Sequence, residues 1–211
     1  ELSGINLSDD SSCCVATGYG RISVPYADKT VTEITCHALG AVHLFQHPDL
    51  TVIDIGGQDT KIIQIEQGFV KDFIMNDKCA AGTGRFLEVM ANTLSLRPNE
   101  MFDLARLGSD TTISSMCTVF AESEVIGLIG KGEPKENIAY AVVNSTIRKV
   151  AAQVSRMNGE MFTFCLTGGL CECDYIREAL SKELGKDVFS CPDARYAGAI
   201  GAAISAMKVR R

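Results

Sequence analysis

The stretch TVIDIGGQD (Thr51–Asp59), with the KIIQI run after it (Lys61–Ile65), decides the reading of this chain. Thr51 to Ile55 is short and β-branched, broken only by Asp54, which is the pattern of a buried strand. Gly56-Gly57 supplies the positive φ that a tight hairpin turn asks for. Lys61–Ile65 then reads as the returning strand. Glycine amides at such a tip carry no Cβ and let an anionic group come close. Asp54, at the strand end beside the tip, is placed to orient a Mg²⁺-bound water. The same residues equally suit an ordinary Gly-Gly hairpin with a surface aspartate, because paired glycines are common turn chemistry.

Further on, MNDKCAAGTGRFLE (Met75–Glu88) and SMCTVFAESE (Ser115–Glu124) each set one cysteine at the start of a helical run. Cys79 follows the polar Asn76-Asp77-Lys78 and precedes Phe86–Met90, and Cys117 directly precedes Thr118–Glu122. Helix N-termini present free N–H groups and partial positive charge, which lowers a thiol pKa and favours thiolate. Two such thiolates suit an anionic iron–sulfur cluster. They are half of what a cubane cluster wants, so a two-fold dimer would supply the rest. From spacing alone, two buried structural cysteines account for them as well, since no CxxC brackets either residue.

At these residues the chain resembles the ATP-dependent activators of 2-hydroxyacyl-CoA dehydratases, whose family includes the ATPase subunits of benzoyl-CoA reductases. The matching pieces are DIGGQDTK (Asp54–Lys61), MNDKCAAGTGRF (Met75–Phe86), SMCTVFAESEV (Ser115–Val125), LTGG (Leu166–Gly169) and AGAIGAA (Ala197–Ala203). The resemblance covers nearly the whole chain. It implies an α/β fold of the two-domain, actin-like ATPase (ribonuclease H-like) kind shared with sugar kinases and heat-shock chaperones. It also implies a homodimer with one [4Fe-4S] cluster between subunits, ligated by Cys79 and Cys117 from each. ATP or ADP with Mg²⁺ is implied as well, with Asp54 and Gln58 as catalytic residues. Asp54, Gly56, Gly57 and Gln58 then hold the phosphates, and Gly168, Gly169, Cys173 and Arg195 the adenosine side. Cys173 stands where the family has a polar residue.

The family's first phosphate loop, a strand–turn–strand with Asp-x-Gly-Ser, has no counterpart in these 211 residues. The expectation is therefore that the chain begins inside the first domain and by itself binds nucleotide poorly. Residues 1–50 are then the remainder of the first subdomain. Residues 51–195 form the second, with the hairpin, the cysteine helices and the adenosine motif. Residues 196–211 are a C-terminal helix returning toward the first.

Working outward, Cys13–Thr17 reads as a strand with Cys13 and Cys14 as packing residues, and Gly18–Arg21 as the loop after it. A helix from about Thr30 to Phe45 carries the apolar stripe Val31, Ile34, Ala38, Leu39 and Val42. Cys36 and His37 are sequence neighbours and cannot face one metal from a helix, and His43 with His47 lacks a further ligand. Phe69–Ile74 reads as the third strand of a meander that brings Cys79 out at its end. Gly82-Thr83-Gly84 falls inside the first turns of a helix reaching about Leu94. Arg97-Pro98 opens a further helix that Gly108 stops. Glu122 and Glu124 complement the macrodipole of the helix after Cys117.

Pro134 starts a long helix to about Met157, ended by Asn158-Gly159. Met161–Leu166 reads as a buried strand running into Thr167-Gly168-Gly169. Cys171-Glu172-Cys173 lacks the partner cysteines of a second metal site. Val188–Ser190 is the last strand and Pro192–Arg195 a loop, with Arg195 placed to stack on a base. Ala197–Met207 is a small-residue helix suited to close packing where two domains hinge.

Composition narrows the function classes. The net charge of −6 argues against a nucleic-acid surface. No run approaches a membrane span, and the polar stretch Glu1–Ser12 does not read as a signal peptide. Nine cysteines without small-domain spacing suit a reducing cytoplasm rather than disulfides. The resemblance implies an ATPase coupled to electron transfer. It would take an electron from ferredoxin or flavodoxin and deliver it to a separate 2-hydroxyacyl-CoA dehydratase. Two other readings stay open: the ATPase subunit of a benzoyl-CoA-reductase-type complex, and a non-redox binding or kinase-like domain with Cys79 and Cys117 buried.

Overall fold

A computed structural model describes residues 12–114, 117–158 and 162–209. The polar start before Ser12, the Ser115-Met116 lead-in, the helix stop at Gly159 and the strand start at Met161 lie outside the described residues. The Thr51–Ile55 run forms β3 (Leu50–Ile55), every residue of it buried. β4 (Thr60–Glu66) returns antiparallel to it and β5 (Phe69–Asn76) completes the meander. β6 (Thr163–Gly168) lies parallel on the other side of β3, followed by β7 (Val188–Phe189), for a sheet order of β5-β4-β3-β6-β7. A central strand covered on both faces reads as continuous β-branched sequence rather than alternation, which is why Thr51–Ile55 was legible as buried.

The faces carry separate cores. On one, Ile53, Ile55 and Ile62 pack with α2 (Gly84–Thr93), α3 (Pro98–Ala105), α4 (Thr118–Gly130), α5 (Lys135–Val154) and α6 (Asp174–Leu184). On the other, Leu50, Val52, Ile63 and Ile65 meet Ala38 and Ala41 of α1 (Glu33–Phe45). The α1 helix starts at Glu33, not Thr30: Lys29–Thr30 is β2, paired parallel with β1 (Val15–Ala16), and Thr32 caps the helix by accepting from Thr35 N. Cys13, Cys14 and Thr17 fall outside β1. The expected loops at Gly18–Arg21 and Pro192–Arg195 hold 3₁₀ turns, Tyr19–Ser23 and Pro192–Tyr196. Among the described residues no helix is long and apolar enough to cross a membrane.

The C-terminal helix α7 (Ala197–Val209) packs on α1 as its small residues foretold. A Cβ on Gly201 would stand 1.7 Å from the Cys36 carbonyl oxygen, and one on Gly40 would stand 1.9 Å from that of Ala197. Gly108 has a different task from the one expected of it. α3 ends at Arg106 in ordinary helical backbone, while a Cβ on Gly108 would stand 2.0 Å from the Glu136 carbonyl oxygen. It permits the approach of α5 rather than stopping α3. Backbone atoms on both sides of the α1–α7 contact have nowhere to go, so Gly201→Ala is expected to cost about 3 kcal/mol or more, read as a lowered urea midpoint.

Candidate nucleotide cleft and cysteine face

The register of β3 with β6 sets Asp54 beside Thr167 and Ile55 beside Gly168, so both strands end at one edge of the sheet. Crevices at the carboxyl ends of such strands are where α/β proteins bind ligands. Gly168 has φ +82°, and a Cβ on it would stand 2.5 Å from the Ile55 carbonyl oxygen and 2.6 Å from Asp54 Oδ1. Both conditions demand glycine there. Gly169 N donates to the Ile55 carbonyl at 3.1 Å and locks the two strand ends together.

The hairpin tip differs from the expected tight turn. Neither Gly56 nor Gly57 has a positive φ, and residues 56–59 form a wider loop closed by Gly56 N donating to the Asp59 carbonyl at 2.9 Å. The two glycines serve close approach instead. Their carbonyls accept from Gly84 N and Arg85 N, both at 2.9 Å, and a Cβ on Gly84 would stand 3.2 Å from the Gly56 oxygen. The tip thereby satisfies the first free amides of α2.

A cleft runs from this tip toward α6. Its first part, about 380 Å³, is lined by Gly57, Gln58, Gly84, Arg85, Phe102 and Leu170 among others. Phe102 and Leu170 also line the second part, about 570 Å³, with Gly169, Cys173 and Arg195. The structure thus sets Gly57 and Gln58 in the first part and Gly169, Cys173 and Arg195 in the second, with Phe102 and Leu170 common to both. Cys173 is the N-cap of α6, and burial raises its thiol pKa. Arg195 faces Glu172 at 3.4 Å and lies 5.8 Å from the Tyr196 ring centre.

Asp54 sits beneath the tip, 2% exposed, in a cluster of buried charges. Lys61 Nζ is 3.2 Å from Asp54 Oδ2, 2.6 Å from Asp59 Oδ1 and 2.9 Å from Glu33 Oε1. Thr167 Oγ1 donates to Asp54 Oδ1 at 3.0 Å. His37 Nε2 lies 3.1 Å from that same oxygen, and among the described residues neither ring nitrogen has an aligned hydrogen-bond partner. Burial alone would raise the Asp54 carboxyl pKa; the His37 ring and the Lys61 ammonium outweigh it and hold the group at about 2. Glu33, His37, Asp59 and Lys61 were not foreseen as site residues. The available signal was the hairpin itself, whose register pairs Asp54 directly with Lys61.

The cysteines occupy another face. Cys117 is the exposed N-cap of α4, as expected. Cys79 is exposed too, but it does not open a helix. It lies in the 77–83 segment ahead of α2, and Gly82, with φ +86°, and Thr83 precede the helix rather than belong to it. The Asn76 side-chain amide pins that segment, donating to the Cys79 and Ala81 carbonyls at 2.9 Å each. Ala81 and Gly82 after Cys79, and Ile113 and Ser114 ahead of Cys117, line one small cavity of about 160 Å³ together with Arg148 and Lys149 of α5. Glu122 accepts from Thr93 Oγ1 at 3.2 Å and Glu124 from Ser114 N at 3.1 Å, so these acids bridge elements as well as complement a dipole. The donor set, two exposed free thiols per chain, fits half of a four-thiolate site.

A mixed sheet with an antiparallel meander, a glycine-tipped hairpin and a cleft at the parallel strand ends defines an actin-like ATPase fold. Residues 1–206 match the family model for the BadF/BadG/BcrA/BcrD ATPase family, and the chain belongs to that family. It is 46% identical over 205 residues to the (R)-2-hydroxyglutaryl-CoA dehydratase activating ATPase of Acidaminococcus fermentans, covering 95% of this chain and 77% of that one. The crystal structure of that dehydratase's component A superposes with a TM-score of 0.87 at 45% identity, over 92% of this chain and 75% of the other. The activator of the 2-hydroxyisocaproyl-CoA dehydratase from Clostridium difficile, solved with bound ADPNP, gives a TM-score of 0.85 at 38% identity, over 92% and 73%. The activator of lactoyl-CoA dehydratase of Anaerotignum propionicum is 43% identical over 208 residues, 98% of this chain and 79% of that one.

Two outcomes follow from the charge cluster. Asp54 titrates at about 2 when folded against an ordinary 3.8. The stability it contributes, about 2 kcal/mol, is full above pH 4 and lost as pH falls toward 2. Urea unfolding between pH 2 and 6 is expected to show that slope in the wild type and not in Asp54→Asn. Lys61→Met leaves Glu33, Asp54 and Asp59 without their shared cation and is expected to cost about 3–5 kcal/mol at pH 7.

Proposed function

We propose that this chain is a reductive activase: it couples ATP binding and hydrolysis to delivery of one electron to a 2-hydroxyacyl-CoA dehydratase. The observation that carries this reading is that the hairpin tip and the Cys79 segment are one hydrogen-bonded unit. Gly56 and Gly57 accept from the first two amides of α2, and Thr60 Oγ1 donates to the Gly82 carbonyl at 2.6 Å. A change at the tip therefore reaches the start of α2 and the 77–83 segment that carries Cys79 through three direct bonds, the Thr60–Gly82 one buried. Coupling by nucleotide needs such an element, one whose arrangement the ligand biases.

Gly57 and Gln58 take the phosphate end of the nucleotide, and Gly169, Cys173 and Arg195 the adenosine end. Gln58 would orient the attacking water, and Asp54, held ionised by His37 and Lys61, would orient a water bound to Mg²⁺ when that ion is present. A [4Fe-4S] cluster, held by Cys79 and Cys117 of each of two copies, supplies the one-electron redox chemistry when bound. The homodimer closes over α4, whose Val119, Phe120 and Ile126 are 67%, 66% and 57% exposed. An apolar patch of that kind beside Cys117 is what a partner surface covers. Ferredoxin or flavodoxin serves as the electron donor, and all nine cysteines, free in this structure, fit a reducing cytoplasm. Residues 1–50 and the C-terminal helix 196–211 belong to one subdomain, with α1 packed against α7 inside it, and residues 51–195 to the other.

The test is iron, acid-labile sulfide and native mass on anaerobically purified protein. About four irons per dimer are expected, lost in both Cys79→Ala and Cys117→Ala. An iron-free monomer would overturn the redox reading and leave an ATPase-fold protein with two surface thiols.

A further inference from the structure

Asp59 closes the loop that carries Gln58, and each of its oxygens is held. Its carbonyl accepts from Gly56 N at 2.9 Å, its Oδ1 from Lys61 Nζ at 2.6 Å and its Oδ2 from the Tyr19 hydroxyl at 2.7 Å. The residue is 5% exposed. Tyr19 comes from elsewhere in the fold: it opens the 3₁₀ turn after β1, in the separate two-stranded β1–β2 sheet. Its ring is 64% exposed, so what it brings to this place is its hydroxyl. The bond to Asp59 pushes the phenol pKa up to about 12, as expected of a hydroxyl donating to a carboxylate. With Lys61 alone, the Asp59 carboxylate is anchored at one oxygen and can turn about that bond. A second tether on the other oxygen fixes its plane, and with it the backbone between Gly56 and Asp59.

We propose that Tyr19 is a positioning residue for Gln58: through Asp59 it holds the 56–59 loop in its working shape, and a shift of the β1 segment away from the hairpin releases that loop. The inference rests on the ATPase reading above and adds to it a contact that makes the loop sense a second part of the fold. Hydrolysis then depends on the two parts being together.

Tyr19→Phe removes the hydroxyl and nothing else. In steady-state ATP hydrolysis by the full protein it is expected to lower kcat about tenfold with KM changed by less than about twofold, the pattern of an interaction used in the transition state. In a Gln58→Ala background the same substitution is expected to have no further effect, because the two act as one unit. Wild-type kcat in Tyr19→Phe, alongside an impaired Gln58→Ala, overturns the inference and leaves the ATPase reading standing. An undiminished Tyr19→Phe effect in the Gln58→Ala background also overturns it, since Tyr19 would then act elsewhere. So does a lowered melting temperature with kcat intact, which would make the contact structural. No hydrolysis by the wild type would sink the ATPase reading itself, and this inference with it.

Discussion

A lysine ammonium inside the sheet governs how the rest of this molecule is arranged. The Lys61 side chain is 2% exposed and reaches Glu33 from α1, Asp54 from β3 and Asp59 from the loop between β3 and β4. Taking such a charge out of water is costly unless oppositely charged groups surround it. Burial would lower its pKa; the carboxylates outweigh that and raise it. Each of the three elements is thereby committed to one position relative to the others. A one-residue slip of β4 would turn Lys61 to the opposite face of the sheet. The ion cluster thus specifies the hairpin register that apolar packing alone, with Ile53, Ile55, Ile62, Ile63 and Ile65 all buried, leaves less sharply defined.

Close approach of backbone to backbone is the second constraint. Gly40 and Gly201 let α1 and α7 touch, Gly108 lets the start of α5 pass, and Gly168 lets β6 end against Asp54. These contacts leave no room for a methyl group, so helix α7 can bring its small residues against α1 at a distance where shifts are transmitted rather than absorbed. Gly56 and Gly57 belong to the same logic. Their value is that carbonyls at the tip meet the amides of α2, which joins the 56–59 loop to the segment bearing Cys79.

Much of this was legible in the sequence, and the reasons differ by element. The meander, β6 and the long α5 announce themselves through β-branched runs and helical spacing, which are local properties. Cys117 could be placed at a helix N-terminus because polar and apolar residues change over sharply there. Cys79 could not: the segment from it to α2 is held by the Asn76 amide and by a bond from Thr60, partners whose positions depend on the sheet. The φ expected at Gly56-Gly57 failed for a similar reason, since glycine pairs mark either a turn or a close neighbour, and only the position of α2 distinguishes them. His37 and Glu33 stayed hidden because nothing local to α1 reveals that one face of it looks onto β3. Lys61 was hidden by its own chemistry, a lysine being rarely buried without partners, although the hairpin register already set it opposite Asp54.

The arrangement has a consequence for how a signal would travel. The tip of residues 56–59 is bonded on one side to α2 and, through Asp59, to Tyr19 on the other. Its anchor, Lys61, is shared with α1, and α1 is pressed against α7. A ligand at the tip would therefore act on a junction rather than on a free loop. Stiff connections of this kind do not spread a displacement evenly; packed, bonded interfaces tend to hold one arrangement and then exchange it for another. The exposed apolar side of α4, with Val119 and Phe120 beside Cys117, is the other end of that chain of contacts, linked to α2 by the Thr93–Glu122 bond. A second copy seated there would meet a surface whose position α2 helps to set. In that geometry α2 borders both places, with Arg85 and Glu88 lining the cleft beside Gln58 and Thr93 bonded to Glu122 of α4.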